Sequence, residues 1–147
     1  MNSEDFAPVI IGKLLNIGGM LQRSGNQLLL PFNLNQQQFS ILFSIEKAGK
    51  VQQKSMVNQL MLEKAHVSKI VKKLSEMGLI EIKADSEDKR SSWLSTTPEG
   101  SKIMKQCQKI ITEWNKRWIN GIDKNQLKSI ADDLTLLQSV FKNGIEK

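Results

Sequence analysis

Apolar positions recur every three or four residues along most of this chain, and one short stretch breaks that rhythm. From Phe6 onward, Ile10, Leu14, Ile17 and Leu21 share one face, the signature of an amphipathic helix. Gly12, Gly18 and Gly19 weaken it by about 1 kcal/mol each relative to alanine. Pro31 in "LLLPFNLN" is expected to end it, because the residue before a proline is driven out of helical geometry. Asn35, with Gln38 three residues on, reads as a capping box that opens a second helix. Its buried stripe is expected at Phe39, Leu42, Phe43 and Ile45, with Gly49 as the stop.

Two short helices follow. "QQKSMVNQL" carries Met56, Val57 and Leu60, and "KAHVSKIVKKLSEMG" carries Val67, Ile70, Val71 and Leu74 on one face, with Gly78 as its stop. Lys64, His66, Ser68, Lys69, Lys72 and Lys73 occupy the other face. The period then changes. "LIEIKAD" and "SSWLSTT" flank the charged "SEDKR" and predict a two-stranded hairpin, with Ile80, Ile82 and Leu94 inward and Trp93 outward. "TTPEG" restarts a helix: Thr97 caps it, Pro98 fills the first position and Glu99 complements the dipole. Its stripe runs Ile103, Cys107, Ile110, Trp114 and Trp118, with Met104 and Ile111 beside it. A last helix is expected from Asp123, with Gln126 in the capping-box place and fraying at Asn143–Gly144. It is expected to bury Leu127, Ile130, Leu134, Leu137 and Phe141, whose alternating steps suit a helix–helix seam.

Three short helices followed by a hairpin make a winged helix, so the fold class is mainly α with a small β wing. The second helix of a helix-turn-helix pair enters the major groove, where its leading residues reach base edges and neighbouring cations hold phosphates. Lys89 and Arg90 at the hairpin tip suit an inserted minor-groove contact. Asp85, Glu87 and Asp88 are expected to pair with those cationic stems and fix the turn. The net charge of +6 and pI near 9.5 favour a polyanionic partner. A single cysteine, Cys107, excludes an intramolecular disulfide, suits a reducing compartment and is assigned to core packing. Without an apolar run of membrane-spanning length, and with an acidic start at "MNSEDFAPVI", the chain reads as soluble and cytoplasmic, with no membrane contact. One histidine, no clustered metal ligands, no nucleophile–base spacing and no phosphate-cradling glycine loop leave no expectation of catalysis, metal or cofactor.

The run from "LNQQQF" to "TTPEG" resembles the MarR family of bacterial transcription regulators. The matching features are a recognition helix ending in Leu-x-x-x-Gly-Leu-Ile, a wing Asp-x-x-Asp-Lys-Arg, and the threonine and glycine opening the next helix. The resemblance implies a winged helix-turn-helix DNA-binding domain over residues 35–97 and a helical dimerisation region formed by residues 1–34 and 98–147. It implies a homodimeric repressor on a palindromic operator of double-stranded DNA, released by a small aromatic or phenolic effector. Carried over by position, Lys64, Ala65, His66, Ser68 and Lys69 fall in the base-reading part of the recognition helix. Lys72 and Lys73, with Gln53, Lys54 and Ser55 on the preceding helix, fall to phosphates; Lys89 and Arg90 take the minor groove, with Asp85 and Asp88 stabilising the wing. Met20 and Arg23, beside Gly18–Gly19, would border an effector cavity.

Four positions depart from the family pattern. Glu63 stands where a small N-cap is typical, Met61 where a turn glycine is common, Lys89 where arginine is usual, and Thr96 where a strand residue is usually apolar. The alternative reading is a winged-helix protein–protein interaction module without specific DNA binding.

Overall fold

The computed structural model describes residues 1–144 of the chain. It divides into two compact units, Met1–Lys109 and Ile110–Lys147. The first opens with α1 (Ser3–Leu29), which begins earlier than the apolar stripe suggested because Asn2 and Asp5 form a capping box. Asn2 Oδ1 accepts from the Asp5 N–H at 3.2 Å, and Asp5 Oδ2 accepts from the Asn2 N–H at 2.9 Å. The helix ends at Leu29, and Pro31 lies in a 3₁₀ turn, Leu30–Phe32.

Asn35 and Gln38 cap α2 (Gln36–Ala48) reciprocally at 2.8 and 2.9 Å, and Gly49 closes it at φ 78°. One expectation about its buried face is corrected. Ile41 takes the inward place beside Phe39, Leu42 and Ile45, while Phe43 is exposed and lies against Phe39 with ring centroids 6.1 Å apart. Next come α3 (Gln53–Leu60) and α4 (Lys64–Glu76). Only Met56 of α3 is fully buried, with Val57 and Leu60 half-buried, whereas Val67, Ile70, Val71 and Leu74 of α4 all face the core as expected.

The sheet has three strands rather than two. β1 (Val51–Gln52), β2 (Ile80–Ala84) and β3 (Ser92–Thr96) lie in the antiparallel order β1-β3-β2, so β3 is central. Val51 and Ile82 both pair with Leu94, which is fully buried. Ile82 was expected inward but is 42% exposed, because β2 is an edge strand and the core closes over its neighbour instead. Leu94 joins Leu29, Ile41, Leu42, Ile45, Met56, Val67, Val71, Leu74, Met104 and Cys107 in the core of this unit.

The strand-to-helix junction after β3 is tightly held. Thr97 Oγ1 accepts from the Gly100 N–H at 3.0 Å and donates to the Gly78 carbonyl at 2.6 Å, and the Thr97 N–H donates to the Leu79 carbonyl at 3.1 Å. Beside it, Glu46 of α2 accepts from Thr96 Oγ1 at 2.5 Å and from Ser101 Oγ at 2.8 Å, tying α2, the wing and the next helix together.

That next helix, α5 (Pro98–Ile119), buries Met104 and Cys107; Ile103, Ile110 and Trp114 are half-buried and Trp118 is exposed. In the second unit α6 (Lys124–Gly144) starts with Asp123 Oδ2 accepting from the Asn125 N–H at 3.0 Å, and no return bond from Gln126 exists among the described residues. The helix persists through Asn143–Gly144 where fraying was expected. Its expected buried stripe is not buried within one chain: Ile130, Leu134 and Phe141 are exposed, and Leu127 and Leu137 are half-buried.

Candidate nucleic-acid interface

Four apolar residues at positions 67, 70, 71 and 74 pin one side of α4 to the core, which by helical geometry turns Ala65, Lys69, Lys72 and Glu76 outward. All four are exposed. Lys64 and Ser68 lie on one flank of this ridge, His66 and Lys73 on the other. A groove runs along each flank. The first, about 510 Å³, lies between α3, α4 and the wing, and Gln53, Lys54, Lys64, Ser68, Asp88 and Arg90 line it. Gln53 Nε2 donates to Ser68 Oγ across it at 2.9 Å, locking the two helices of the turn. The second, also about 510 Å³, lies between α2 and α4, where Gln37, His66, Lys69, Lys72, Lys73 and Glu76 meet. There His66 Nε2 sits 2.6 Å from Gln37 Oε1. Ser55 is exposed on α3.

The wing turn is built from carboxylates bonded to backbone. Asp85 Oδ1 accepts from the Glu87 N–H at 2.9 Å, and Asp88 Oδ1 accepts from the Arg90 N–H at 3.0 Å. Asp88 Oδ2 lies 3.3 Å from Ser91 Oγ, and Gln52 of β1 donates to Asp85 Oδ2 at 3.2 Å. The Glu87 N–H is the main reason the Asp85 carboxyl is held below its ordinary value. The expected pairing of these acids with the cationic stems is therefore corrected. The ion pairs among the described residues are Lys116–Glu113 and Lys128–Asp132, while Lys89 and Arg90 are exposed and outside both. Each carboxylate holds the amide two positions further along the chain, so local turn closure outcompetes an ion pair in water.

Trp93, turned away from Leu94 by strand alternation, is half-buried on the sheet, and Lys50 Nζ stands 4.8 Å from its ring centroid. Neither Lys50, Gln52 nor Gln37 was flagged by the sequence. Each contributes through a partner distant in the chain, which no local pattern reveals. Glu63 occupies the N-cap of α4 without making a side-chain cap bond, and Met61 holds φ 54° in the preceding turn. Met20 and Arg23 are exposed on α1 and line neither groove. Burial pushes the Cys107 thiol up to about 11, which suits a packing residue. Among the described residues no group of three His, Cys, Asp or Glu side chains could hold a metal ion, and no helix is long and apolar enough to cross a membrane.

Residues 34–92 match the sequence model of the MarR family. A curated relative, the uncharacterized HTH-type transcriptional regulator YdgG of Bacillus subtilis, is 29% identical over 76% of this chain and 75% of its own length. Among solved structures, the transcriptional regulator BldR of Sulfolobus solfataricus superposes with a TM-score of 0.85 at 18% identity, covering 95% of this chain and 99% of that one. A mutant of Escherichia coli MarR complexed with operator DNA superposes with a TM-score of 0.80 at 19% identity, covering 90% and 95%.

Proposed function

We propose that the chain is a member of the MarR family of bacterial winged helix-turn-helix transcription regulators and that it binds double-stranded DNA sequence-specifically as a homodimeric repressor. One observation carries the reading. The outward ridge of α4 is cationic and flanked by two open grooves, and a wing tip with two exposed cations stands beside the first of them. The ridge enters the major groove. Lys64, Ala65, His66, Ser68 and Lys69 meet base edges; Lys72, Lys73, Gln53, Lys54 and Ser55 meet phosphates; Lys89 and Arg90 reach the minor groove. The crystal structures of E. coli MarR and Staphylococcus aureus MepR with DNA come from proteins sharing this fold, which supports the assignment.

Residues 35–97 form the DNA-binding part, and residues 1–34 and 98–147 the dimerisation part. Support for dimerisation comes from the apolar side chains left exposed on α1 and α6, more than a chain of this size leaves in water without a partner. Two recognition helices would then address half-sites roughly 34–36 Å apart on an inverted repeat. A small aromatic or phenolic effector, bordered by Met20 and Arg23, releases the operator by favouring the DNA-incompetent arrangement; a coupling of about 1–3 kcal/mol lowers affinity roughly 5- to 150-fold.

Fluorescence anisotropy with inverted-repeat duplexes and unrelated controls tests the reading. Tight binding to one repeat that weakens steeply with added salt is expected. Equal, weak binding to every duplex would favour the protein–protein interaction module instead.

A further inference from the structure

The one histidine of the chain is tied to a residue outside the helix-turn-helix pair. His66, in the first turn of α4, places Nε2 2.6 Å from Gln37 Oε1 on α2. A carboxamide oxygen can only accept, so Nε2 carries the hydrogen and donates it. In the neutral ring the other nitrogen, Nδ1, is then a bare acceptor, the tautomer being set by the bond its partner makes. Nδ1 has no hydrogen-bond partner among the described residues. The exposed lysines of α4, Lys64, Lys69, Lys72 and Lys73, are donors only, and the exposed acid of the same groove, Glu76, stands at the far end of the helix from His66.

We propose that Gln37 is a positioning residue that fixes the His66 ring so that Nδ1 reads an amino-bearing base. The inference rests on the DNA-binding reading given above. In the major groove the groups that donate to such an acceptor are the cytosine N4 and adenine N6 amines; guanine and thymine present only acceptors and a methyl group there. The lysines of the same ridge suit guanine edges and phosphates, so His66 supplies an acceptor that they lack. Position within the helix agrees, because the leading residues of a recognition helix are those that reach base edges.

Selection from a randomised duplex library, with the full chain and its variants, tests this directly. The wild type is expected to enrich a motif with adenine or cytosine at one symmetry-related pair of positions. Gln37→Ala should weaken that preference by about 3- to 10-fold, the worth of one hydrogen bond, and leave the rest of the motif unchanged. His66→Asn, whose amide oxygen falls near the Nδ1 site, should keep the preference. His66→Gln, whose amide reaches the Nε2 site, should lose it. Thermal unfolding of each variant reads folding separately. A motif that Gln37→Ala leaves intact, or a preference kept by His66→Gln and lost by His66→Asn, overturns this inference alone. A wild-type chain that enriches no motif overturns the DNA-binding reading and the inference with it.

Discussion

Met61 sits at φ 54° and ψ 37°, left-handed backbone that side chains with a Cβ occupy at a cost of about 1–2 kcal/mol. It is more than half exposed, so its side chain returns little of that cost through burial. Glycine would remove the strain but lose more freedom on folding. Met61→Gly is therefore expected to stabilise the chain by about 0.5–1 kcal/mol in urea unfolding; a loss of stability would contradict the strain argument. Glu46 shows the opposite case, a residue whose environment suits its charge. Hydrogen bonds from Thr96 and Ser101, with help from the Lys105 charge, hold its carboxyl below the ordinary value. A lowered folded value stabilises the fold above the unfolded value and loses that contribution as pH falls through the folded one. Denaturation of Glu46→Gln from neutral to acid pH should show a deficit at neutrality that shrinks towards acid. A deficit independent of pH would assign Glu46 a role other than its charge.

At the scale of elements, the junction between wing and α5 sets the tightest constraint. A Cβ built at Gly100 would collide with the Leu79 carbonyl oxygen, a backbone atom that cannot swing aside. Gly100→Ala should cost about 1–3 kcal/mol, as overpacking does, measurable as a lower midpoint in thermal or urea unfolding; an unchanged midpoint would mean the junction has slack. This junction was legible in "TTPEG" because caps are local chemistry, as was the Asn35–Gln38 box and the apolar face of α4. What escaped the sequence depends on distant partners. A two-residue strand such as β1 has no periodicity to detect and exists only because β3 lies beside it. Ile82 alternates correctly with its neighbours, yet its place on the edge strand leaves it exposed, and no pattern within β2 reveals which strand is central. The wing acids were read as partners for the cations beside them because charge was visible and backbone amides were not. Thr96, odd for a strand facing a core, is explained by Glu46, fifty positions away.

For the molecule as a whole, the account requires two subunits and a cationic surface. On α6, Leu134 is 45% exposed and lies on one face with Ile130 and Phe141. Leu134→Glu should leave single-chain helicity unchanged in circular dichroism and shift sedimentation from dimer to monomer, with operator affinity falling accordingly. A variant that stays dimeric would place the interface elsewhere. The central claim is that the α4 ridge and the wing tip grip a duplex, and charge reversal tests it most directly. Operator binding of the double variant Lys69→Glu, Arg90→Glu should be measured against the wild type across a salt series. The account predicts that the variant loses operator binding while its unfolding curve stays unchanged, because both side chains are exposed and outside the ion pairs found among the described residues. A folded variant that still binds the operator with wild-type affinity and salt dependence would contradict it.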